Sequence, residues 1–413
     1  MSVRVETVPA GSGSRTGPTD ATALSRGSDR LRFDGLRDRV RPSVRWGRPR
    51  VRTSYAADQA LLNTRVKRAW AACLVATAVL APFLVEADVT YLLTLVTIYG
   101  VGGIGLNLLT GYAGQVSLGH AFFLGLGAYT AAVFGGTPGS HTWGLGLDLA
   151  VVLPVAALVP AIVGALVAPL ATRVRGLYLS VLTLGLLILG EHLFKVMVPV
   201  TGGQGVGRGV ALRHLFGVDL TATYALGPVI LTPEISLYAL ALAVLIVASV
   251  GARNIARSRV GRSFAAVRDR DIAAEVMGVN LRRTKTLAFT LSSAYAGVAG
   301  ALFSILVGRI APEQWSLFLS IDFLAVVVIG GIATISGTLI GACFVVLLPR
   351  LLEELTVALP GFGAASGGLL NVFQLQTIIF GALIILFITV EPRGLYGLWI
   401  RVSNYFRTWP FSY

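Results

Sequence analysis

Beyond Arg68 the chain is a succession of apolar runs separated by short polar interruptions. Each run is close to the roughly 20 residues a helix needs to cross a hydrocarbon core about 30 Å thick. The runs fall at 69–86, 89–109, 118–136, 149–170, 177–198, 235–250, 287–306, 318–333, 335–352 and 372–390. They predict an all-α polytopic membrane protein with about ten transmembrane helices. The runs 318–333 and 335–352 meet at Thr334, with Ser336 and Gly337 close by and no charge between them. That junction leaves open a re-entrant or broken helix in place of one full span.

Composition agrees with the pattern. Hydrophobic residues make up 55% of the 413 and charged residues only 13%, against about 25% charged in soluble domains. The mean hydropathy is +0.76. An ordinary soluble enzyme and a disordered scaffold are both excluded. The formal net charge is +14, and two stretches carry all of it. Residues 1–68 hold 15 basic and 6 acidic side chains, and residues 252–285 hold 9 and 3.

These basic stretches flank apolar runs, so positive-inside bias explains them better than nucleic-acid binding does. Ten spans with both termini cytoplasmic put Arg173, Arg175, the 252–285 cluster, Arg393, Arg401 and Arg407 inside. The predicted organisation is a disordered basic extension over 1–68, a membrane domain over 69–396 and a short cytoplasmic tail over 397–413. The extension has no apolar core of a signal peptide and no adjacent arginine pair, so no cleaved signal is expected. Its arginines at 37, 39, 41, 45, 48, 50 and 52, with Trp46, would suit a tether to anionic lipid.

Catalytic and nucleotide-binding signatures are missing from the sequence. It contains no G-x-x-x-x-G-K-[ST], H-E-x-x-H, C-x-x-C or G-x-S-x-G. The glycine-rich run 202–209 lacks dinucleotide spacing and reads as a flexible outer loop. Cys73 and Cys343 lie far apart in apolar runs and read as small buried hydrophobes. Transport or conduction remains.

Two regions depart from the apolar background. Residues 105–123, GLNLLTGYAGQVSLGHAFF, place Asn107, Gln115, Ser117 and His120 at the junction of two spans. Such groups are costly in lipid unless buried in protein or lining a cavity. Two readings fit: a discontinuous helix at a solute site, or glycines that let helices pack closely. The second region is the inner loop 263–280. Asp271 reads as an N-cap, Asp271 to Met277 as a helix of about two turns, and Gly278 as its terminator. Ile272, Ala273, Val276 and Met277 form one apolar side, which suits either a docking partner or the bilayer surface.

The loop AVRDRDIAAEVMGVN, followed by Lys285-Thr286-Leu287-Ala288-Phe289, resembles the cytoplasmic coupling loop of ATP-binding-cassette (ABC) importer permeases. It is most similar to the branched-chain amino acid permeases of the LivM type. The 105–123 region, RVRGLYL at 173–179, Thr201-Gly202-Gly203 and Pro392-Arg393-Gly394-Leu395 resemble further parts of that family, in the expected order.

The resemblance implies a non-catalytic subunit of a bacterial cell-membrane importer, binding no cofactor itself. Its partners would be a second related permease, two ATP-binding subunits that use ATP and Mg²⁺, an extracytoplasmic solute-binding protein and membrane lipid. Asp271, Ile272, Ala273, Ala274, Glu275, Met277 and Gly278 would then form the coupling site. From the residues themselves the candidates for the solute path are Asn107, Gln115, Ser117, His120 and Glu191; the resemblance implies a branched-chain or other hydrophobic amino acid as solute. The long N-terminal extension departs from the family pattern.

Charged residues inside spans are candidates by default. Glu191 and Lys195 stand at i,i+4, a spacing that lets them pair near the outer end of their span. A urea or short-amide permease of the same family would suit the same lining. An ion-coupled secondary transporter using Glu191 or Asp322 expects repeats between the two halves, and only Tyr112-Ala113-Gly114 and Tyr295-Ala296-Gly297 echo one another. A channel expects charge rings that are not evident.

Overall fold

The computed structural model describes residues 65–136, 142–174, 176–210, 214–226, 229–358, 372–390 and 394–408. Expectations placed on residues 1–64, Arg175, the connection 360–371, Pro392 and Arg393 lie outside the described residues. The first half of the chain forms α1 (Arg65–Leu80), α2 (Ala87–Asn107), α3 (His120–Gly135), α4 (Leu149–Arg173), α5 (Leu177–Val196) and the single turn α6 (Val198–Thr201). The second half forms α7 (Pro233–Arg257), α8 (Arg259–Asp269), α9 (Asp271–Val276), α10 (Leu281–Val307), α11 (Leu317–Gly330), α12 (Ile335–Ala358), α13 (Val372–Val390) and α14 (Gly394–Thr408).

Every predicted apolar run falls on one of these helices. Among the described residues, seven helices are long and apolar enough to cross a membrane, and three shorter apolar helices cover Ala72–Phe83, His120–Gly135 and Thr377–Phe387.

Lipid gives two apolar helices no hydrophobic reason to associate, so close packing and buried hydrogen bonds must hold the bundle together. Helix α10 is the hub. A Cβ at Gly127 of α3 would fall on the backbone of Gly297, and one at Gly297 would fall on the Ala156 carbonyl of α4. One at Gly164 of α4 would meet the Ser293 side chain of α10. These contacts bring three backbones together as the close-packing reading requires. Around them Phe122, Phe123, Tyr129, Phe194, Phe289 and Trp315 interlock edge to face or stacked.

Two helices are short because the chain breaks inside the bundle. The predicted span 118–136 begins only at His120, after a π-helical turn Leu108–Tyr112 and an irregular stretch to Gly119. Its 16 residues rise only about 24 Å. Helix α11 has 14 residues, a rise of about 21 Å, and ends at a tight turn before α12. In that turn Gly331 has φ 136° and Ala333 φ 59°, a left-handed conformation that costs a Cβ-bearing residue energy.

The run 202–209, predicted to be a flexible outer loop, is ordered. Gly202, Gly203, Gly205 and Gly207 all have positive φ, so the glycine-rich run is a defined series of turns leading into β1 (Arg208–Gly209). Beyond it come β2 (His214–Leu215), β3 (Val218–Asp219), β4 (Tyr224–Leu226) and β5 (Val229–Leu231), β2 pairing antiparallel with β3 and β4 with β5. Strand β1 itself pairs antiparallel with β6 (Arg309–Ile310).

Arg208 is 4% exposed. It donates to the Val200 and Ala132 carbonyls at 2.8 and 2.7 Å and also to the Trp143 carbonyl. Burial lowers the pKa of its guanidinium, and carbonyl acceptors replace the lost water.

Two further expectations change. Cys73 and Cys343 are exposed on the protein surface; in a membrane a small apolar side chain can face lipid as readily as protein. The boundary drawn at 396/397 falls inside α14, whose Gly394 packs against the Ile329 carbonyl and the Gly331 amide.

Candidate coupling and translocation site

The basic stretch 252–285 runs from the last turn of α7 through the two short helices α8 and α9 into the start of α10. Ser258 caps α8, its Oγ accepting from Val260 N at 3.1 Å and Gly261 N at 3.4 Å. Gly261, Phe264 and Val267, spaced three apart, are the buried face of α8. Arg270 then adopts an extended backbone and is itself the N-cap residue of α9, with no side-chain capping bond. The expected cap is therefore displaced by one residue. Asp271 is already helical, and its Oδ1 accepts from the next amide, Ile272 N, at 2.9 Å. Gly278, at φ 86°, ends the turn, and Asn280 caps α10 through a 2.9 Å bond from Arg283 N.

The α9 helix holds on by one side. Ala274 is 4% exposed, whereas Ile272, Val276 and Met277 stand 64%, 82% and 83% exposed. Ala273, Glu275 and Gly278 are exposed too. The predicted apolar side therefore faces away from the bundle. Lys285 Nζ lies 3.9 Å from Asp271 Oδ2 and steadies the helix start.

Helix α8, which composition alone did not distinguish from a loop, ties this platform to the broken segment after α2. Arg268 Nη1 donates to the Gly111 carbonyl at 3.2 Å. Gly114 has φ +69°, and a Cβ there would sit 2.8 Å from Arg268 Cγ. A cavity of about 430 Å³ lies between these parts, lined by Gln115, Gly176, Ser180, Arg268, Asp271 and Lys285 among others. It joins three stretches far apart in sequence: the 105–123 region, the 173–179 motif and the coupling loop. The buried Gln115 Nε2 has no hydrogen-bond partner.

The other candidate path residues are held by protein. Asn107 is 1% exposed; its Nδ2 donates to Thr338 Oγ1 at 2.7 Å and the Thr334 carbonyl at 3.0 Å, and its Oδ1 accepts from Ala333 N at 2.8 Å. Ser117 is buried beneath Gly119 N, which donates to its Oγ at 3.3 Å. His120 Nε2 lies 3.0 Å from the Gly102 carbonyl; a carbonyl only accepts, so this nitrogen carries the proton. The ring also meets Phe323 edge-on.

Ser320 Oγ takes the Ala121 amide at 3.0 Å, so the start of α3 is partly capped by protein. Glu191 stands apart from this cluster, in a 2.7 Å pair with Lys195, each about a third exposed. Sequence reasoning missed Arg268, Ser320, Thr338 and Ala333. Only Arg268 carried a signal, at the end of the spacing Gly261, Phe264, Val267.

A family model described as "Branched-chain amino acid transport system / permease component" matches residues 89–388. The high-affinity branched-chain amino acid transport system permease protein LivM of Escherichia coli (strain K12) is 29% identical over 345 residues, 81% of this chain and 76% of its own length. The protein of the same name in Salmonella typhimurium is 29% identical over 330 residues, 77% of this chain and 72% of its own. The autoinducer 2 import system permease protein LsrC of Enterobacter sp. (strain 638) is 34% identical over 165 residues, 38% of this chain and 46% of its own. No solved structure gives a significant match.

Proposed function

The chain belongs to the branched-chain amino acid transport system permease family, and we propose that it forms half of the translocation path of an ATP-driven importer for branched-chain or other hydrophobic amino acids. A second related permease completes the path, an extracytoplasmic binding protein delivers the solute, and two ATP-binding subunits dock from the cytoplasm. The relatives named for branched-chain amino acids align over about four fifths of this chain, the autoinducer relative over 38%. That difference favours the amino-acid solute.

The observation that carries the mechanism is α9, apolar and outward-facing, mounted on α8, whose Arg268 grips the break between α2 and α3. ATP-driven movement of the docked subunits would shift α8 and α9 together. The Gly111 carbonyl and Gly114 would follow, and the cavity beside Gln115 would open or close. Backbone amides and carbonyls of the broken segment, with small and aliphatic neighbours, suit a zwitterion carrying an apolar side chain.

The test is Ala273→Glu, which puts a charge on the exposed side of α9. Capture of the ATP-binding subunits and uptake of labelled leucine should both fail while membrane insertion is kept. Undiminished capture would refute the coupling role. Uptake by this chain alone under an ion gradient would refute the importer reading.

A further inference from the structure

Residues of the inner end that coupling does not use surround a second cavity, of about 510 Å³. It lies between the last turns of α7, the turn after α2, the 333–336 break and α14, and its lining includes Arg253, Arg257, Tyr112, Tyr396, Ser249 and Ser336. No acidic side chain is among the lining residues.

We propose that this cavity binds the phosphate headgroup of an anionic phospholipid of the inner leaflet. Arg253 and Arg257 stand at i,i+4 on one face of α7 and both line the cavity, so two guanidinium groups can offer charge-assisted hydrogen bonds to one phosphate. The first turn of the 24-residue helix α12 enters the same space through Ile335 and Ser336, and a helix N-terminus adds backbone donors for a phosphate. The hydroxyl of Ser249 is buried without a partner.

Two observations favour a lipid over a free anion. Only 17% of an 18-residue stretch of α7 is buried within the chain, so α7 runs along the rim of the bundle where lipid reaches it. The walls beside the arginines are apolar, formed by Val250, Ile335 and Leu339, and so accept acyl chain as well as headgroup. The depth is also right, since the arginines occupy the cytoplasmic end of a span. Basic pockets between helices at this level bind anionic headgroups. The inference rests on the chain spanning a membrane with this end of α7 on the cytoplasmic side, and holds whichever solute is carried.

The experiment uses the full-length chain, delipidated in detergent and titrated with phosphatidylglycerol, phosphatidylcholine or inorganic phosphate. Thermal stability and native mass spectrometry supply the readouts. Phosphatidylglycerol should be retained at least tenfold more tightly than phosphatidylcholine, with a saturable rise in Tm. Arg253→Gln with Arg257→Gln should remove that preference. Ser336→Asp should remove it too; a carboxylate in the first turn of a helix is favourable for folding yet repels the headgroup. Equal retention of both lipids, or a preference that survives in both folded variants, would overturn the proposal. A full Tm rise with inorganic phosphate alone would overturn its assignment to lipid.

Discussion

Asn107 separates a solute-contact role from a structural one, because its three hydrogen bonds can be counted. In Asn107→Leu, Thr334 O keeps the Thr338 amide at 3.1 Å and the Thr338 hydroxyl at 2.9 Å, so neither of those groups is stranded. The Ala333 amide loses the partner that Asn107 Oδ1 provides. With each net hydrogen bond worth about 0.5–1.5 kcal/mol and one part-buried donor left unmade, the expected loss is about 2–3 kcal/mol.

Ala333→Gly works in the opposite sense. It removes the strain of a Cβ at φ 59° and should gain about 1 kcal/mol. The two changes share one backbone amide. The double variant should therefore deviate from additivity by about 0.5 kcal/mol or more, because a glycine lets that amide turn to another acceptor. Unfolding followed by intrinsic fluorescence in detergent gives all three values. A loss below about 0.5 kcal/mol for Asn107→Leu, accompanied by a raised KM for uptake, would refute the structural role and return Asn107 to the solute path.

Other outcomes follow from the same geometry. Phe216 is 83% exposed at φ 50° in the β2–β3 turn, so Phe216→Gly should stabilise that hairpin by about 0.5–1 kcal/mol, read by slower amide exchange; destabilisation would contradict it. The carboxylate of Asp148 accepts from Ala150 N, and more weakly from Phe216 N and Gly217 N, so its pKa lies below the ordinary 3.8. The anchorage it gives is therefore complete above that ordinary value and lost as pH falls through the lowered one. Asp148→Asn should abolish this pH dependence in Phe216 and Gly217 amide exchange; an unchanged acid transition would count against it. Arg268→Gln should preserve docking of the ATP-binding subunits while solute moved per ATP falls at least tenfold, measured in proteoliposomes. Coupling that stays intact would show that the Gly111 bond transmits nothing.

The spans were legible because lipid imposes apolarity on a scale of tens of residues, although the breaks before His120 and after Gly330 shorten two of them. The outward side of α9 was legible for a similar reason: Ile272, Ala273, Val276 and Met277 repeat at helical spacing with no neighbouring span to bury them. Helix α8 was hidden by its composition, since Arg259, Arg262, Ser263 and Arg268 look like loop residues and only Gly261, Phe264 and Val267 betray a buried face. The break after α2 could not be read locally. Its π-helical turn depends on Gly111 meeting Ala333 and on a carbonyl offered to Arg268, contacts 157 or more residues apart in sequence. The polar residues at 105–123 announced that something unusual lay there. They did not announce that Asn107 would bond the 333–338 turn while the Gln115 side-chain nitrogen stayed unpartnered.

Arg208 bears on how the outer face comes together during synthesis. Its acceptors belong to residues 132, 143 and 200, all of which leave the ribosome before the arginine does. Until it arrives, the Ala132 carbonyl has the Gly136 amide as a partner at 3.1 Å, and no charge is buried prematurely. Once it arrives, a single guanidinium fastens three stretches at one stroke, and β6, made about a hundred residues later, closes over the knot. The order in which the parts are made is thus the order in which they are needed, and the outer rim can assemble without a stage in which a buried cation waits for its partners.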